Sequence, residues 1–135
     1  MSHEAAVVDL DHVSLSVTDY ERSKAFYQKA LAPLGIKLVM EGASGAGFGR
    51  SWPRFWIRQG VGAFQTAEQL RAITPVHVSF AAGSRDEVVR FHEAAIAAGG
   101  RDFGKPGLRP DYHPGYFGAF VLDPDGHNIE AVIHT

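Results

Sequence analysis

The chain has 135 residues, 45% of them hydrophobic and 21% charged, with a formal net charge of −2 and no cysteine. That balance is expected of a soluble globular protein, and it gives no electrostatic footing for nucleic acid or an anionic membrane. Disulfides, thiolate metal sites and a cysteine nucleophile are excluded, and no secretory leader or apolar run of about 18 residues is visible, so a cytoplasmic location is expected.

The chain writes one pattern twice. His12-Val-Ser-Leu-Ser-Val17 returns sixty-five residues later as His77-Val-Ser-Phe-Ala-Ala82. At the same offset Phe26 matches Phe91, Ala30 matches Ala95, Leu31 matches Ile96 and Gly35 matches Gly100. One supersecondary unit used twice fixes an architecture, so the repeat is read first. Val7 to Val17 is expected as a strand, with Val13, Leu15 and Val17 on one face and His12, Ser14 and Ser16 on the other. Thr18 or Asp19 caps a helix whose apolar stripe is Ala25, Phe26, Ala30 and Leu31, ended by Pro33 and Gly35. Ile36 to Met40 is a second strand, a short strand follows near Phe48, and Arg54 to Gln59 alternates as a fourth. The glycine-rich stretch 42–49 lacks a P-loop lysine and leads into no helix, so it reads as a turn entering the short strand near Phe48 and not as a phosphate cradle.

Residues 61–74 form a connector with a helical turn around Ala67 to Ala72, and the second module runs over 75–135. There Val76, Val78 and Phe80 face the core while His77, Ser79 and Ala81 face away. Ser84 caps a helix to about Ala98, with Val88, Phe91, Ala95 and Ile96 inward and Gly99-Gly100 as its stop. A short strand over Arg101 to Lys105 is followed by an irregular loop, Pro106 to Pro114. Tyr116 to Leu122 and Asn128 to His134 are the last strands, joined by the turn Asp123-Pro-Asp-Gly126. Each half, 7–60 and 75–135, thus reads strand, helix and three strands, the two building a single domain over residues 1–135.

In the last strand Ile129, Ala131 and Ile133 are apolar, which leaves Glu130 on the opposite face with Asn128, Val132 and His134. His12 and His77 sit on the same kind of face. Two imidazoles and one carboxylate on three strands suit a divalent metal with open positions. The ordinary alternative is a satisfied strand histidine and a Glu130 paired with Arg58. His3, His92 and His127 are given no site role. Matched histidines at one repeat position favour the metal.

These residues carry a family resemblance. The stretches His12-Val-Ser-Leu-Ser-Val-Thr-Asp19 with Phe26-Tyr27, His77-Val-Ser-Phe80 and Asp123-Pro-Asp-Gly-His-Asn-Ile-Glu130 resemble the vicinal oxygen chelate superfamily of glyoxalase, bleomycin-resistance proteins and extradiol dioxygenases. The resemblance implies an α+β fold in which paired βαβββ modules curl a mixed sheet around a metal cleft, helices on the outer face, commonly as a homodimer. It implies a metal at His12, His77 and Glu130, with iron, manganese, zinc, nickel or cobalt as candidates. Glyoxalase itself is expected to add a fourth-strand glutamate. Here Trp56 or Arg58 stands at that place, or Gln65 by strict offset, which moves the site toward the three-ligand dioxygenase and fosfomycin-resistance branches.

The other wall of the pocket is expected in the loop Leu108-Arg-Pro-Asp-Tyr-His-Pro-Gly-Tyr116. Tyr112 and Tyr116 are the candidate catalytic side chains, and Arg109, His113, Trp56 and Arg58 the candidate substrate contacts, with Phe48 a further candidate lining residue. The expected function is a metalloenzyme of lyase, isomerase or dioxygenase type, its metal chelated by a small substrate with neighbouring oxygens. The alternative is a non-catalytic binder that sequesters an antibiotic or metabolite.

Overall fold

The computed structural model describes residues 9–43, 45–60, 64, 66–72 and 75–135. Period-two alternation makes β1 (Val13–Val17), with Leu15 and Val17 buried. Val7 and Val8 of the expected strand lie outside the described residues, as do His3 and Gln65. His12 stands just before β1, whereas His77 is the first residue of β5. Asp19 is the cap of α1 (Tyr20–Leu31), its Oδ1 accepting from Arg22 N at 3.1 Å. A short 3₁₀ turn over Ala32–Leu34 holds Pro33, and Gly35 closes it at φ 76°, the left-handed conformation that glycine adopts without steric cost.

The first module is completed by β2 (Lys37–Glu41), β3 (Gly45–Gly49) and β4 (Phe55–Gln59), and the connector holds α2 (Ala67–Ala72). The second repeats the plan with β5 (His77–Ala81), α3 (Arg85–Ala97), β6 (Arg101–Leu108), β7 (Tyr116–Leu122) and β8 (Asn128–His134). Ser84 caps α3 by accepting from Glu87 N, and Glu87 in return accepts from Gly83 N at 2.8 Å. Two four-stranded sheets result, ordered β1-β4-β3-β2 and β5-β8-β7-β6. The identical order carries the repeat into three dimensions. In each, the first strand runs parallel to the last and the other pairings are antiparallel.

Two local expectations are corrected. Strand β6 runs through Pro106 to Leu108, where an irregular loop was expected. It lies at the sheet edge, so the missing proline N–H costs no ladder bond, and register shifts at Asp102/Gly104 and Gly104/Gly107 absorb the irregularity. Ile96, expected inward, is 38% exposed. Val88, Phe91 and Ala95 form the buried stripe, and the next position turns about 100° away from it.

Helices α1 and α3 each cover one face of their own sheet and pack against one another. Rings carry the core across the halves: Tyr27 meets Phe55 edge-on at 4.9 Å, and Phe55 meets Phe80 of β5 at 5.1 Å. The turn after β7 ties the halves together in polar terms. Asp123 is 4% exposed; its Oδ2 accepts from the Tyr27 hydroxyl, and its Oδ1 accepts from Asp125 N and His127 N. Asp125 accepts from Thr18 N and from the Thr18 hydroxyl at 2.5 Å, at the entry to α1. His127 accepts from Val76 N at 3.1 Å and reaches Ser16 O at 3.3 Å, a bracing role. Among the described residues no helix is long and apolar enough to cross a membrane.

Candidate active site

The helix-free face of the second sheet gathers most of the predicted site. Strands β5 and β8 pair with His77 opposite Asn128 and Ser79 opposite Glu130. Glu130 is only 1% exposed. Its Oε1 lies 3.1 Å from His77 Nε2, and its Oε2 accepts a hydrogen bond from the Tyr116 hydroxyl. Burial, and next the Glu130 hydrogen bond, raises the Tyr116 pKa, so the phenol keeps its proton. Gly118 leaves room for this pair, because a Cβ there would stand 3.0 Å from Glu130 Oε2 and 3.2 Å from the Tyr116 ring. Phe120 stacks on His77 with ring centroids 6.0 Å apart.

The protonation pattern of His77 follows from its neighbours. Nδ1 is 2.9 Å from the Asn128 carbonyl oxygen, which can only accept, so Nδ1 carries the hydrogen. In the neutral ring Nε2 is then a lone pair. It faces an oxygen of the buried Glu130 carboxylate, another acceptor, while the His77 ring itself stays half exposed. Two acceptors at that distance require a proton or a cation between them. A ring hydrogen donated to a carbonyl, with the other nitrogen free, is also how metal-ligating histidines are oriented.

Tyr116 is held by three rings: Tyr112 at 4.8 Å, His134 at 5.2 Å and His113 at 5.5 Å. His113 Nδ1 accepts from Gly115 N, so its Nε2–H donates to His134 Nδ1 at 2.8 Å. His113 thereby fastens the loop to β8. Tyr112 is 62% exposed at the rim. Arg109 donates to Lys105 O at 2.7 Å and lies over Phe120, at 5.4 Å from the ring centroid. Sequence reasoning missed Phe120 and Gly118; the signal for the second was a glycine inside an apolar strand. It also missed Asn128, whose Oδ1 is buried with no partner among the described residues.

The first module's candidates lie elsewhere. His12 Nδ1 is 2.8 Å from Asp11 Oδ2, and Arg54 donates to Asp11 O at 2.9 Å. His12 lines a cavity of about 520 Å³ between the halves, with Asp11, Arg50, Trp52, Phe48 and Phe80. Within one chain His77 and Glu130 meet, and no three His, Cys, Asp or Glu side chains among the described residues are grouped to hold a metal. The register also decides between the fourth-strand candidates. Val13 pairs with Phe55 and Ser14 with Trp56, while Val78 pairs with Ile129 and Ser79 with Glu130. Trp56 therefore occupies in the first module the rung that Glu130 occupies in the second. Arg58 is two residues further on and is not a partner of Glu130, whose carboxylate is taken up by His77 and Tyr116.

This chain belongs to the Glyoxalase/Bleomycin resistance protein/Dioxygenase superfamily, whose family model matches residues 9–131. Among solved structures it is similar to a glyoxalase/bleomycin resistance protein from Albidiferax ferrireducens T118, at 30% identity and a TM-score of 0.71, covering 91% of this chain and 96% of that one. A glyoxalase/bleomycin resistance protein/dioxygenase family enzyme from Burkholderia phytofirmans PsJN shares the fold at a TM-score of 0.74 and 18% identity, covering 95% and 100% of the two chains. The oxidase ChaP-H2 shares it at 0.61 and 23% identity, covering 96% of each. None of the curated proteins matches the sequence. Members of the superfamily typically bind divalent metals and small-molecule substrates and often form dimers.

Proposed function

We propose that the protein is a metalloenzyme acting on a small substrate with neighbouring oxygens, in which His77 and Glu130 hold a divalent ion and His12 of a second copy completes the ligand set. The observation that carries this reading is the pair of facing acceptors, half-exposed His77 Nε2 and buried Glu130 Oε1, 3.1 Å apart. Their orientation fits two positions on one ion, and the donor set of nitrogen and oxygen without sulfur suits iron(II), manganese, zinc, nickel or cobalt. Such an ion supplies Lewis acidity toward a substrate oxyanion. The chain's own residues do the rest. Tyr116 keeps its proton and holds Glu130 in place, Phe120 fixes the His77 ring, and Arg109 lies on the same face to meet an anionic group.

The test is complementation between two inactive chains. His12→Ala and His77→Ala proteins each lose metal as homodimers. When they are co-expressed and the mixed dimer is isolated, one composite site is restored, at about half the parent's metal per dimer. A mixed dimer that stays empty while the parent holds metal places His12 outside the site. A parent that is strictly monomeric overturns the shared site. A second reading, a non-catalytic binder of small molecules, is favoured by Trp56 standing where a fourth ligand would be. A parent that takes up none of the five metals decides for it.

A further inference from the structure

We infer that the helix-free face of the first sheet is a binding platform for a planar aromatic ring bearing an anionic group. This names the substrate class of the small-molecule reading above. It rests on that reading and turns on Trp56 and Arg58, which stand outside the proposed ligand set.

The platform begins with glycines. On β3, Gly47 lies opposite Trp56 in the ladder, and a Cβ at Gly47 would come within 2.9 Å of the indole and 2.7 Å of Pro53. A Cβ at Gly45 would stand 3.9 Å from the indole Cε3. The stretch that composition alone marks as a turn is therefore a strand stripped of side chains so that an indole can lie across it. Trp56 Nε1 donates to Pro53 O at 3.3 Å, which fixes the ring's rotation. With one side on the glycines, the half-buried indole borders a cavity of about 390 Å³, together with Ser14, Met40, Glu41 and Arg58. That volume is at the small end of ligand sites and suits one or two fused rings. An indole face prefers a flat π-system to an aliphatic one.

The anionic group follows from Arg58. Its Nε is buried and finds no acceptor among the described residues. The one carboxylate lining the cavity, Glu41, is engaged by Lys24 at 2.7 Å and Tyr20 at 2.8 Å, and those two bonds hold its pKa low. A guanidinium so placed recognises a carboxylate or phenolate.

Calorimetric titration with 2-naphthoate tests this, using 2-naphthamide and cyclohexanecarboxylate as comparisons. Saturable binding of 2-naphthoate is expected, with both comparison compounds about tenfold weaker, the equivalent of one lost stacking or charge contact. Trp56→Ala, checked for folding by its melting curve, should lose about the same factor, and Arg58→Gln should bring naphthoate down to the naphthamide level. Protein stripped of metal with a chelator should still bind 2-naphthoate saturably, which separates a failure of the metal reading from a failure of this one. The proposal is overturned by no binding to the parent, by unchanged affinity in folded Trp56→Ala or Arg58→Gln, by cyclohexanecarboxylate matching naphthoate, or by loss of saturable binding in the metal-stripped protein.

Discussion

Replacing Glu130 by glutamine should empty the proposed metal site and make the metal-free protein harder to unfold. The carboxylate is almost fully buried, and one of its oxygens faces the lone pair of His77 Nε2. Without an ion, buried Glu130 Oε1 either lacks a donor, at a cost of about 1–3 kcal/mol, or takes a proton shared with His77 Nε2. A glutamine amide turns its NH₂ toward Nε2 and its carbonyl toward the Tyr116 hydroxyl, so both neighbours are satisfied. The loss of metal affinity should exceed the roughly 10–100-fold that follows loss of an outer hydrogen-bonding partner, while Tyr116→Phe should fall within that range. Elemental analysis and melting curves with and without added metal report both effects. Parent-level metal in Glu130→Gln, or a metal-free melting temperature below that of Glu130→Ala, would sink the site as assigned.

The second large effect is expected far from that site. Tyr27 is fully buried and its hydroxyl donates to Asp123 across the two halves. Tyr27→Phe removes a donor from a buried carboxylate and should cost about 1.5–3 kcal/mol in urea unfolding near neutral pH. Burial first, and the Asp123 charge next, push the phenol well above its ordinary value of 10.0. The unfolded phenol ionises above about pH 10 while the folded one keeps its proton, so the contribution is present below that pH and is lost as pH rises. The gap between parent and variant should therefore narrow in alkali. A gap that widens there, or a variant as stable as the parent at neutral pH, contradicts this account.

The fold was legible because the repeat and the alternation are physical signals. Strand faces in β5 and β8, the caps Asp19 and Ser84, and the glycine stops were all readable from residue type and spacing. Strand β6 was not, because proline reads as a breaker unless the strand is known to lie at an edge, and edge position is a property of the sheet. His77, Glu130 and Tyr116 were each named from sequence, and His77 and Glu130 were expected to converge on one ion, but the bond from Tyr116 to Glu130 was not visible. It depends on the β7–β8 register and on the gap at Gly118. The choice between Trp56 and Arg58 stayed open for the same reason, since only paired rungs tell which residue matches Glu130. The glycine-rich stretch was readable as a turn entering a short strand near Phe48; composition did not show that the strand reaches back to Gly45 or that its glycines make room for the Trp56 indole.

Among the described residues every ladder closes inside its own half: β1 joins β4 and β5 joins β8, with no strand pairing between the two sheets. Loop closure is thus confined to two short circuits, and the junction between them is made by side chains, packed on one another or hydrogen-bonded to the facing backbone. Each half is then expected to assemble as a unit, with docking of α1 on α3 and of the Asp123 turn on Tyr27 coming after the main barrier. On that order of events Tyr27→Phe speeds unfolding and leaves the refolding rate near the parent's, so its stability loss appears almost wholly in the unfolding arm of a stopped-flow chevron. A slowed refolding arm would mean that the halves find each other first.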